Sequence, residues 1–335
     1  MNCNYKLYFS EIFSNFKFFT FCIWKNKRDI FLFTVGLIVL DQSLGRLGDK
    51  LVKGPFWYNT TLSKLLKKEK IEILFIGTCR TANNIDSEIV SNRLGVQVFN
   101  AGKEAEALGN MDLSLNLALS KHTPKIVIIQ VDAPALLQDF LAIRNEIYKQ
   151  IIWLPEMSIK RSNDLVSYYQ LKDIKNLSGF WRYKGKGEYL EVSIHKMIST
   201  DPLPISNNDG YKPQSPENHQ SIIWYGEDGQ KEPEYSKDSI NTVIRLIKLT
   251  KEAGAKPILL VTPMHYSVGN LPIMRRLIED IGNKEKIYIM NYVDSQSPIA
   301  RDDSIWYDGT HLDKNGAERF SNLLSDDLEQ LKFFK

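Results

Sequence analysis

The chain has 335 residues, 43% of them hydrophobic, enough for one large core or one core with a sizeable insertion. Charged residues make up 25% and the formal net charge is +3, a balance that carries no nucleic-acid footprint. Three cysteines (Cys3, Cys22, Cys79) and five scattered histidines show no metal-ligand spacing, so neither a paired disulfide framework, a metal nor another cofactor is expected.

Residues 30–40 form an uncharged apolar run, preceded by Lys25, Lys27 and Arg28 and continued by Leu44 and Leu47. Basic residues ahead of such a run favour a cytoplasmic N-terminus and an extracytoplasmic C-terminal part. No small-residue cleavage site follows closely. Residues 1–50 are therefore expected to hold an uncleaved single-pass anchor at about 30–47. The run is short for a spanning helix, and a helix packed on the domain is the other reading. A soluble thioesterase would follow from that second reading.

Residues 51–70 read as a connector with a short amphipathic helix over 61–70. A regular alternation then begins. Strands are predicted over 71–77, 96–100 and 125–132, with helices over 86–94 and 105–120 between them. Strands alternating with helices argue for a parallel sheet covered on both faces. The pattern stops at about residue 137 and resumes at about 235, which marks an insertion after strand three that caps the sheet edge. Beyond it come a helix over 238–253 stopped by Gly254, a strand over 257–262, a helix over 271–281, a strand over 286–290 and a closing helix over 315–331. The domain thus spans 71–335 as an α/β fold with five parallel strands.

Ligand sites in such sheets lie beyond the carboxyl ends of the strands. At the first strand's end stands Gly77-Thr78-Cys79-Arg80. Cys79 there is either a nucleophile favoured by a helix start and by Arg80, or a small residue filling a turn. Arg80 either binds a substrate carboxylate or forms a structural salt bridge. Asn100-Ala101-Gly102 ends the second strand, and Asp132 ends the third as a site acid or a strand-end cap. His265 follows the fourth strand and is placed to line the cleft. Near the C-terminus, Asp308 and His311 stand three apart on the loop entering the last helix. A carboxylate there can orient an imidazole that acts as general base and acid.

Taken in order, the Gly-Thr-Cys-Arg turn, the Asn-Ala-Gly turn and the late Asp308-x-x-His311 block resemble the SGNH (GDSL) hydrolase superfamily. The likeness is closer to its membrane-anchored branch, which includes the alginate O-acetylation proteins and the D-alanine transfer protein of teichoic acid synthesis. It covers about 71–135 and 237–332, plus the anchor. The resemblance implies a flavodoxin-like three-layer sandwich and an esterase or O-acyltransferase acting on a cell-surface polysaccharide. By position, Cys79 takes the nucleophile's place, His311 the base's and Asp308 that of its orienting acid. Gly102 falls where the family offers a backbone N–H to the oxyanion, or is simply a turn glycine.

Two departures stand out. The family nucleophile is serine and here it is cysteine, and the usual third-block asparagine is not evident, since strand three ends Gln130-Val131-Asp132. These departures leave a second expectation open. The chain would then be a catalytically degenerate member that binds glycan or an integral-membrane acyltransferase partner. Gly210-Tyr211-Lys212-Pro213 resembles a segment of the same branch but carries no evident chemistry.

Overall fold

The computed structural model describes residues 27–52, 61–103, 108–131, 134–136, 159–168, 178, 210–215, 235–266, 271–294 and 296–331. Asp132 and most of the insertion lie outside the described residues. The chain divides into two compact units, Met1–Val52 with Asp173–Met197, and Lys53–Lys172 with Ile198–Lys335.

In the first unit, α1 runs over Lys27–Val52. The apolar run is thus part of a longer helix that continues through Asp41. Residues Arg28–Leu47 are long and apolar enough to cross a membrane, since twenty helical residues rise about 30 Å, the thickness of a hydrocarbon core. A membrane anchor and a signal sequence share this composition. Phe31, Leu32, Leu37, Ile38, Val39 and Leu40 are all exposed. Ser178 of the insertion donates to Asp41 Oδ1 at 2.6 Å.

The second unit is the α/β domain. It opens with α2 (Thr61–Lys67) and β1 (Ile73–Ile76), followed by α3 (Cys79–Asn84), α4 (Ser87–Leu94) and β2 (Val98–Asn100). Next come α5 (Leu108–Lys121), β3 (Ile126–Gln130) and α6 (Ile159–Tyr168) of the insertion. The remainder is α7 (Lys237–Glu252), β4 (Lys256–Val261), α8 (Leu271–Glu285), β5 (Tyr288–Asn291) and α9 (Lys314–Gln330).

All four strand pairings are parallel, in the order β2-β1-β3-β4-β5. This is the flavodoxin-like order, whose switch point lies between β1 and β3. β1 and β3 are near-continuous apolar runs because both faces of the sheet are covered. On one face Ile73, Phe75, Ile126 and Ile128 share a core with Phe320, Leu324 and Leu328 of α9. On the other, α5 and α7 pack together and against the central strands.

Two devices tie the insertion in. Arg161 of α6 donates to Asn116 Oδ1 at 3.1 Å, and the Arg245 guanidinium lies 4.6 Å over the Tyr168 ring. Arg245 Nε also pairs at 2.7 Å with Asp112, whose side chain is fully buried. A charge so deep requires such a partner. The second device is the segment 210–215, where Lys212 N–H donates to Ala82 C=O at 2.8 Å and Lys314 N–H donates to Gln214 C=O at 3.2 Å. Gly210 has φ +95°, and a Cβ there would meet the Asn100 carbonyl oxygen at 1.7 Å, so only glycine fits. The parts of the insertion described within this unit therefore meet α5, α7, α3 and the end of β2.

Ile128 sits fully buried in the middle of the sheet. Ile128→Ala should lower unfolding free energy by about 2–5 kcal/mol in a urea melt. Leu323→Ala, at a 40% exposed position of α9, should stay within about 0.5 kcal/mol of wild type.

Candidate active site

The switch point is where β1 runs out. Thr78 takes the N-cap position of α3, but its hydroxyl does not cap the helix. It donates instead to Gln130 Oε1, at 3.0 Å, across the gap to β3. The same oxygen accepts from Thr78 N–H at 3.0 Å and from the Thr81 hydroxyl at 3.2 Å. Three donors on one buried carbonyl oxygen fix the turn that carries Cys79. Cys79 itself is half-buried and a free thiol.

Asn100, at the end of β2, holds the other end of α3. Its Nδ2 donates to Thr81 C=O at 2.7 Å and to Ile85 C=O at 2.8 Å. These are carbonyls that a helix end leaves without intrahelical partners. Its Oδ1 accepts from Gly102 N–H at 2.9 Å. A Cβ at Gly102 would meet Ala82 N and Thr81 Cβ at 2.6 Å, so a turn glycine is required by close packing. The Gly102 N–H is thus engaged with Asn100 Oδ1, where the resemblance implied a donor to the oxyanion.

The Asp308 loop is built around one carboxylate. Asp308 Oδ1 accepts from Thr310 N–H at 2.7 Å and from His311 N–H at 2.8 Å, and also from the Thr310 hydroxyl at 3.0 Å. Oδ2 accepts from His311 Nδ1 at 2.7 Å. The other ring nitrogen, Nε2, is buried with no hydrogen-bond partner. Cys79 is near enough to interact with the ring, though the pair does not meet hydrogen-bond geometry.

Burial opposes charge on the ring, but the Asp308 hydrogen bond and the neighbouring Cys79 outweigh it and raise His311 to about 9. Burial likewise opposes ionisation of Asp308, and the bonds from His311 and the Thr310 and His311 N–H groups overcome it, holding the carboxyl at about 2.

His265 is 1% exposed and its Nε2 bonds Asp303 Oδ1 at 2.8 Å. Its backbone N–H donates to Gly309 C=O at 3.1 Å and its ring meets Trp306 edge-on. It braces the Asp308 loop from behind, whereas the sequence reading placed it along the cleft. Arg80 is buried on α3, and Asp132 lies outside the described residues. Among the described residues no cluster of three or more His, Cys, Asp or Glu is set to hold a metal.

Asn84 escaped the sequence reading, and so did the roles of Asn100 and Gln130, which it named only as strand-end residues. Asn84 Oδ1 accepts from Leu312 N–H at 2.9 Å, and its Nδ2 donates to Thr310 C=O at 3.1 Å. The available signal was position. A polar amide that closes a wholly apolar strand, as Gln130 and Asn100 do, has no solvent to face and needs a buried partner.

No family model matches the sequence, and no curated protein matches it. Among solved structures the chain is similar to a candidate acylhydrolase of Bacteroides fragilis NCTC 9343, at 11% identity and a TM-score of 0.42, over 83% of this chain and 97% of that one. It is also similar to a gut microbial diltiazem-metabolizing enzyme, at 13% identity and a TM-score of 0.28, over 77% of this chain and 47% of that one.

The two shifted groups make stability depend on pH in opposite directions. His311, raised from 6.5 to about 9, contributes stability that is full below pH 6.5 and is lost as pH rises through about 9. Asp308, lowered from 3.8 to about 2, contributes stability present above pH 3.8 and lost as pH falls through about 2. Urea melts of the wild type should weaken between pH 6.5 and 9, and Asp308→Asn should lose most of that slope. An equal slope in both proteins would show that the pair does not set it.

Proposed function

We propose that the chain is an SGNH-like esterase or O-acyltransferase that works through a Cys79 acyl-enzyme. The observation that supports this best is the His311 ring, held by Asp308 at Nδ1, with its other nitrogen buried beside Cys79 and without a hydrogen-bond partner.

In this reading His311, raised to about 9, already holds the proton on Nε2 in the resting site, and the Cys79 sulfur attacks the acyl carbon as the thiolate of that ion pair. The tetrahedral intermediate collapses as the ester C–O bond breaks, and the leaving alkoxide takes the proton from His311. A thioester on Cys79 remains. Water, or a hydroxyl of an acceptor sugar, then gives its proton to His311 and attacks the thioester carbonyl. The C–S bond breaks, the sulfur leaves as thiolate beside the reprotonated His311, and the acid or the new ester departs. Asp308 stays ionised throughout and stabilises the imidazolium. The Cys79 N–H, in the first turn of α3, is the oxyanion donor this scheme uses.

The helix Arg28–Leu47 supports a membrane anchor with the catalytic domain outside the cytoplasm. A cell-surface polysaccharide is then the substrate or acceptor within reach. An integral-membrane acyltransferase would be the natural acyl donor for the transfer reaction.

One observation favours a second reading. The Gly102 N–H is bonded to Asn100 and gives the oxyanion no second donor. In that case the chain is a non-catalytic member that binds glycan or the membrane partner, with Cys79 inert.

The deciding measurement is intact mass after brief exposure to an activated acetyl ester. The acyl-enzyme reading expects one acetyl adduct on wild type, none on Cys79→Ala, and deacylation slowed by about 10²–10⁴-fold in His311→Ala. An adduct that persists in Cys79→Ala, or no adduct at all, favours the binding reading. Alkaline extraction of membranes tests the anchor, with the chain expected in the pellet and a variant lacking residues 1–52 in the supernatant.

A further inference from the structure

Asn84 closes α3, the six-residue helix that Cys79 opens, and it is fully buried. Its two hydrogen bonds go to the peptide group on each side of His311: Thr310 C=O before it and Leu312 N–H after it. The donor and the acceptor of one amide are thus both matched, which offsets the cost of burying it.

The other restraints on His311 are local. Asp308 grips the ring and the N–H groups of the same loop from three residues away. Those bonds fix the shape of the loop but not its distance from Cys79. The Asn84 bonds span 226 and 228 residues of sequence and originate on the helix that carries the thiol. This bridge ties the two peptides of His311 directly to the helix that carries the sulfur, beside the packing of α9 on α3. An alanine there would leave a buried carbonyl and a buried N–H without partners, and nothing else described joins α3 to those two peptides.

We propose that Asn84 is a positioning residue, which registers His311 against Cys79 through both peptide groups of His311. The proposal rests on the Cys79–His311 reading above, and it concerns the geometry of that pair. The groups that face the His311 ring are Asp308 and Cys79.

The test uses the purified full-length chain as wild type, Asn84→Ala and Asn84→Asp. Alkylation of Cys79 by iodoacetamide is timed from about pH 5 to 10, a span that brackets ordinary imidazole and thiol titration. It is read on the tryptic peptide 71–80, which separates Cys79 from Cys3 and Cys22. In Asn84→Ala the midpoint of the alkylation profile should move by about one pH unit. Turnover of an activated acetyl ester should fall about 10²-fold in kcat with KM little changed. Asn84→Asp keeps the acceptor for Leu312 N–H but loses the donor to Thr310, and should show a smaller change in the same directions. A lowered Tm with an unchanged alkylation profile and kcat would make Asn84 purely structural and overturn the proposal. If Asn84→Ala does not fold, Asn84→Asp decides by the same readouts. If the wild type neither acylates nor turns over, the ester chemistry fails, and the alkylation profile still decides the role of Asn84.

Discussion

A helix of six residues has almost no stability of its own, because nucleation costs more than one turn returns. The position of Cys79 therefore depends on what grips α3 from outside. Three buried amides do so. Gln130 fixes the turn before the helix, Asn100 takes the carbonyls at its far end, and Asn84 ties it to the last loop. Each amide is buried where solvent does not reach, so each must be matched by hydrogen-bond partners. The sheet places β1, β2 and β3 side by side, and the amides turn that arrangement into a fixed location for one sulfur atom.

The Asp308 loop is built on a different economy. A single carboxylate organises its backbone and its histidine together, and ionisation is maintained because every bond to it favours charge. His265 braces this loop from the core, with its backbone on Gly309 and its ring on Trp306. The two halves of the site are thus separately rigid. They meet through long-range contacts, and the Asn84 bridge, the strap at 210–215 and the packing of α9 all reach α3.

Much of the fold was legible because its strands are unambiguous. Apolar runs such as Ile126–Gln130 can only be buried strands when turns bound them and helices lie between. The Cys79, Asp308 and His311 positions were legible because chemistry-bearing residues stood at strand ends and before the last helix. The amides were not. Asn84 lies on a helix too short to show periodicity, and its partners are backbone atoms more than two hundred residues away, which leave no mark in composition or spacing. The direction of the Gly102 N–H was likewise hidden, since it depends on the rotamer of Asn100. Tyr211 shows the same limit. It reads as a loop aromatic, yet it is buried in the core under β1 and α9, and Gly210 lets the backbone approach the end of β2.

The strap and the Asn84 bridge also impose an order of assembly. Closing a loop of more than two hundred residues is entropically slow relative to local pairing. Cys79 is synthesised early, while His311 arrives only when the last loop and α9 dock. A chain that stalls before α9 holds Cys79 without the His311 ring beside it. On the proposed reading, activation of the thiol is consequently a late property of the molecule, reached only after the last loop and the C-terminal helix are both in place.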